Sequence, residues 1–199
     1  MGMLSNSINT IIADSNFRIG NTVDGSLDAE GNAAFDVNLQ TGGLNVRLES
    51  GPFAGQVLNF DIENFGRVVG TANDDLINGS NDLDNIIVGS FGDDVINGSF
   101  DTVGGTSSND VLDYSGLGAG ITLLSQGQIA KGPFLFGDTI IGALGTDQTT
   151  GIDTIIGDES QTNTINGVAN GEFLDAGERA TFDIDLRDET FTLASTTGF

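Results

Sequence analysis

Aspartate recurs between residues 70 and 113 at places where it could hold a hard cation. Residues 70–78 read GTANDDLIN, 79–87 read GSNDLDNII, 89–97 read GSFGDDVIN and 105–113 read GTSSNDVLD. Each unit opens on Gly and carries an acid at its sixth place: Asp75, Asp84, Asp94 and Asp110. Each has a large apolar residue at its eighth: Ile77, Ile86, Ile96 and Leu112. On this alignment Val88 is a one-residue insertion and 98–104 a shortened unit. Nine Asp and no Lys or Arg fall within 70–115. Carboxylates and backbone carbonyls are hard oxygen donors, and Ca²⁺ takes six to eight of them at about 2.3–2.6 Å. Gly70, Gly79, Gly89 and Gly92 would let carbonyls approach closely, and Asn73 and Asp82, at fourth places, complete the candidate ligand set. A merely solvated Asp/Gly loop has no use for Ile or Leu at every eighth place.

Other chemistry is narrowed by what the chain lacks. It has no Cys, His or Trp and one Tyr, Tyr114. Thiolate chemistry, transition-metal sites and the usual general base are therefore excluded. There are 29 acidic residues against six basic ones, a formal charge of −23. A compact fold with that charge repels itself unless cations are bound, so nucleic acid and anionic membrane surfaces are poor partners and cations good ones. FDIDLRDETFTL (182–193) puts Asp183 and Asp185 on one face of an alternating strand, a pairing that carboxylate glycosidases use. With no pocket implied, a solvated strand face is the better reading. VANGEFLDAGE (168–178) lacks the early acids of an EF-hand loop and reads as a turn. No window is long and apolar enough to be a transmembrane helix. The opening MGMLSNSINTII has neither a basic start nor a long apolar stretch, so a Sec leader is not expected.

Positioning these acids falls to short strands. Apolar residues come in runs of two to four between Gly, Asn, Asp, Ser and Thr, which is an all-β pattern. A nine-residue unit divides into a six-residue turn and a three-residue strand whose middle side chain points inward. Two units would close one coil of a parallel β-roll or β-solenoid, with strands about 4.8 Å apart and calcium in the turns. Asp75 and Asp94 then share one edge, while Asp84 and Asp110 face each other on the opposite edge. Irregular β flanks complete the chain, giving segments 1–66, 67–117 and 118–199. LDAEGNAAFDVNL (27–39) is echoed by LDAGERATFDIDL (174–186). Such repetition suits stacked architectures and suggests head-to-tail self-association.

GSFGDDVIN and its neighbours resemble the nonapeptide G-G-x-G-x-D-x-U-x of the RTX (haemolysin-type) calcium-binding repeat family. DVLDYSGLGAGITLL (110–124) is similar to the sequence that often follows such repeats. The nonapeptide likeness covers about a quarter of the chain. It implies a calcium-stabilised protein outside the cell or on its surface, exported by type I secretion through a C-terminal signal. The expected role is structural, in a coat, filament, matrix or adhesion system, with surface polysaccharide as a further partner. The rival readings are a calcium-binding accessory module of a secreted enzyme and a carboxylate-based polysaccharide-active β-solenoid.

Overall fold

The computed structural model describes residues 9–13, 15–26, 31–81, 83–98, 108–123, 127–132, 144–158, 160–161, 163–166, 183–185 and 191–194. Among them the protein is all-β, with 3₁₀ turns at Ser15–Gly20 and Gly51–Phe53. No helix among the described residues is long and apolar enough to cross a membrane.

The short apolar triplets become strands. They are β1 (Asn9–Ile12), β2 (Thr22–Asp24), β3 (Ala33–Asn38), β4 (Gly43–Leu48), β5 (Val57–Glu63), β6 (Arg67–Val69), β7 (Leu76–Asn78), β8 (Ile86–Val88) and β9 (Val95–Asn97). Then follow β10 (Val111–Asp113), β11 (Ile121–Leu123), β12 (Gln128–Lys131), β13 (Gly145–Thr150), β14 (Thr154–Ile156), β15 (Asn163–Asn166), β16 (Asp183–Asp185) and β17 (Phe191–Ala194).

Two sheets share these strands. One has the order β1-β5-β4-β3-β7-β9-β13-β12-β11-β15-β17, the other β16-β14-β10-β8-β6-β2. From β6 to β10 consecutive strands alternate between the sheets, and every pair in the six-stranded sheet is parallel. The larger sheet is mixed. β3, β7, β9 and β13 are parallel, whereas β4 and β12 run against their neighbours. Both sheets run unbroken across residues 66–67 and 117–118, since β2 pairs β6, β3 pairs β7 and β10 pairs β14.

Side chains alternate along a strand, and in most of these triplets the middle one points inward. Val68, Ile77, Ile87, Ile96, Leu112 and Ile155 do so, all at most 3% exposed, and they join Val23, Val37 and Tyr114 in one core between the sheets. At about 25 cal/mol per Å² of apolar area, this row is the main term holding the sheets together.

The second unit departs from the sequence alignment. Ile87, not Ile86, is the buried residue of β8, in register with Val68 and Leu112. Val88 is an ordinary strand residue opposite Val69 and Asp113, so the extra residue lies in the preceding turn. Two adjacent isoleucines hid the slip, because either satisfies an apolar eighth place.

Candidate functional site

The turn preceding each core strand delivers a polar side chain to the sheet edge, two residues before the inward one. On the first edge this row is Asp75, Asp94 and Asp147, each at most 3% exposed. Their carboxylates accept hydrogen bonds from the chain itself. Asp75 Oδ1 accepts from Phe35 N at 2.6 Å and Thr71 Oγ1 at 2.8 Å, and its Oδ2 from Thr71 N at 2.6 Å. Asp94 Oδ1 accepts from Asp75 N at 2.9 Å, and Asp147 Oδ1 from Asp94 N at 3.0 Å. Each acid therefore fastens the backbone of the unit before it, a charge-assisted bond stronger than a neutral one.

Lys131 joins this row from β12. Its ammonium is wholly buried, 3.0 Å from Asp94 Oδ2, 2.5 Å from Asp147 Oδ1 and 2.7 Å from the Ser90 carbonyl. Tyr114 donates its hydroxyl proton to Asp147 Oδ2. With both carboxylates ionised against one ammonium, the cluster carries a net negative charge out of water. Burial pushes Asp94 up to about 7, with Lys131 opposing and the nearby Asp147 adding to the rise. Burial raises Asp75 and Asp147 too, and holds the Tyr114 hydroxyl far above its ordinary value.

The opposite edge differs from expectation. Asp84 and Asp110 do not face each other. Asn85 takes the place in line with Asp110: its backbone N–H donates to Asp110 Oδ1 at 2.9 Å and its side-chain amide to the same oxygen at 2.7 Å. Asp110 N in turn donates to Asp153 Oδ2 at 2.8 Å. Asp84 is exposed and accepts from Asn109 N at 2.9 Å. The slip that moved Ile87 inward moved Asn85 with it. Arg18 crosses this edge, donating to the Asp84 carbonyl and, at 2.8 Å, to Asn85 Oδ1. Desolvation lowers its pKa against the pull of Asp110 and Asp84.

An outer row lies beside the first edge. The exposed Asp74 accepts from Asp93 N at 2.8 Å, and the exposed Asp93 accepts from Thr146 N at 2.7 Å. Of the other candidate ligands, Asn73 spends its amide on the Ala33 carbonyl at 2.7 Å. Gly92 is in the left-handed region at φ 95°, and a Cβ there would strike the Asn73 backbone. Gly70, Gly79 and Gly89 are required by close approach instead. Side chains there would meet Ser90, the Gly98 carbonyl and the Tyr114 ring. Asp82 lies outside the described residues.

A calcium cage would need Asp75 and Asp94 to turn free oxygens towards one point together with carbonyls. As arranged they do not fit it. Asp75 is committed to three donors, and the cation against Asp94 is Lys131. Among the described residues no three acidic side chains converge. Lys131, Asp147, Tyr114 and Asn85 were not singled out from the sequence. A signal for two of them exists: counting back four places from Gly79, Gly89, Gly98, Gly151 and Gly157, which close β7, β8, β9, β13 and β14, gives Asp75, Asn85, Asp94, Asp147 and Asp153. Comparison with protein-family models and with curated proteins finds no match.

Proposed function

We propose that the chain is a structural repeat protein of the β-roll kind, similar to RTX repeats, that serves as an acidic coat, matrix, filament or adhesion element rather than as an enzyme. The carrying observation is the buried row Asp75, Asp94 and Asp147, each acid fastened to the backbone of its neighbour. Carboxylates used in this way stiffen a stack; they do not meet substrate. Asp94 and Asp147 are the close acid pair with raised pKa values, yet both are sealed from solvent. A glycosidase needs both its acids open to a sugar. A location outside the cell rests on the resemblance to secreted repeats.

Calcium belongs to this reading as a counter-ion of the surface. Asp74, Asp84 and Asp93 are exposed, and each gives one oxygen to a single backbone N–H. Their charge is part of the −23 that calcium would offset. Self-association also belongs to it. Among the described residues β1 and β17 are the outermost strands of one sheet and point the same way, as do β2 and β16 in the other. Copies could add head to tail in parallel, since open edges template further strands. The test is light scattering at rising protein concentration with calcium or chelator, beside assays on acidic polysaccharides. Calcium-promoted growth without turnover is expected. Turnover of a polysaccharide, or a monomer unchanged by calcium, would overturn the reading.

A further inference from the structure

The Lys131 ammonium occupies a position that the surrounding oxygens suit to a metal ion. Around Nζ stand one oxygen each from Asp94, Asp147 and the Ser90 carbonyl, at 3.0, 2.5 and 2.7 Å. Two of these are carboxylates at neighbouring strands of one sheet, Asp94 immediately before β9 and Asp147 within β13, and the third is a turn carbonyl. All are hard donors of the kind calcium selects. Its side chain is wholly buried, and among the described residues its ammonium is bonded to these three oxygens. It is the one Lys of the chain and reaches the row from β12, the antiparallel strand set between β13 and β11.

We propose that Lys131 is a built-in replacement for a bound cation, and that Asp94, Asp147 and the Ser90 carbonyl form a latent divalent-cation site which the lysine keeps closed. The carboxylates would repel each other in a dry interior without a positive charge between them. An ammonium supplied by the chain answers that need at any calcium concentration. Removing it while leaving space, as in Lys131→Ala, turns the same oxygens towards a vacant point, where a divalent ion leaves the cluster neutral instead of negative. Lys131→Met fills the space with a soft thioether and gives neither charge nor room.

Tyr114 supplies the readout. It is the single Tyr in a chain without Trp, and it is bonded to Asp147. Tyrosine-excited terbium luminescence thus reports an ion in this place. Lys131→Ala should gain a one-to-one terbium signal that calcium displaces. In chelator its melting temperature should fall by about 10 °C, and calcium should restore most of that. Wild type should show neither change, and Lys131→Met should melt lower in both buffers, with no terbium signal and no rescue by calcium. The proposal is overturned if wild type already gives the signal, if Lys131→Met gains as much as Lys131→Ala, or if folded Lys131→Ala gains nothing. It also fails if Lys131→Ala does not fold even in about 10 mM calcium, well above the usual range of extracellular sites. Counter-ion binding at the outer acids is read separately, from wild type alone.

Discussion

Replacing Ile87 by Ala should cost far more stability than replacing Ile86, its neighbour in the same triplet. Ile87 is 0% exposed and sits between Val68 and Leu112 on the flanking strands, while Ile86 faces outward and is only partly buried. The change removes three carbons, about 2.4 kcal/mol at ~0.8 kcal/mol for each buried methylene. A cavity term adds to that, because the rows on either side are held by strand pairing and cannot close in. Buried Ile→Ala changes span about 2–5 kcal/mol, and the upper half of that range fits here. Ile86→Ala should cost about 1 kcal/mol or less, as surface changes do. Urea unfolding, followed by circular dichroism with a common slope, gives both values from the midpoints. Equal costs, or a larger cost at Ile86, would restore the alignment that put Asp84 opposite Asp110 and would dismantle the row argued above.

Asp75→Ala leaves two buried backbone donors, Phe35 N and Thr71 N, without their acceptor, so it should lose about 2–5 kcal/mol. Asp74→Ala, on the exposed outer row, should lose under about 1 kcal/mol, and similar losses in denaturation would refute the difference in role. The raised Asp94 pKa predicts a pH slope. The folded state keeps a proton that the unfolded chain, with an Asp near 3.9, has released. Stability should therefore fall as pH rises from about 4 to about 7 and level off above that. Melting scans should show this fall in wild type and a shallower one in Asp94→Asn; an unchanged slope in the variant would place the proton elsewhere. Gly89→Ala drives a methyl group into the Tyr114 ring, and should cost about 1–3 kcal/mol. A neutral result would mean that the turn and the ring are not in contact.

Much of this arrangement is written in local pattern. Three-residue apolar strands between Gly- and Asp-rich turns follow from short runs such as LING, IIVG and VING, and Ile77 and Ile96 were legible as inward residues. So was the sharing of an edge by Asp75 and Asp94, because their units have the same length. The second unit misled because its turn is one residue longer and Asn85 stands where an acid was sought. Asn offers the same acceptor oxygen, yet a search for charge passes over it. Lys131 was illegible for a different reason. In IAKGPFLF it reads as one polar interruption of a core segment, and its partners lie up to 41 residues away along the chain, on or beside other strands. Only the placing of β12 beside β13 brings it to Asp147, and local spacing does not encode that. Tyr114 takes the place held by Gly after β6, β7, β8, β9 and β14. The sequence marks that exception, but the hydroxyl's partner depends on the same strand placement.

Thermal unfolding of the whole chain in chelator and in calcium bears most directly on the claim that internal acceptors hold the stack and calcium only adds to them. In chelator the protein should melt in one cooperative transition, because Phe35, Asp75 and Asp94 N–H groups already have their carboxylates. Calcium at tenfold excess over a site of ~10⁻⁴–10⁻³ M dissociation constant contributes about 1.4 kcal/mol for each site filled. For a chain of this size that is a rise of about 3–6 °C. A chain that shows no cooperative transition until calcium is added would contradict the claim, by making the metal rather than the carboxylate row the element that joins the strands.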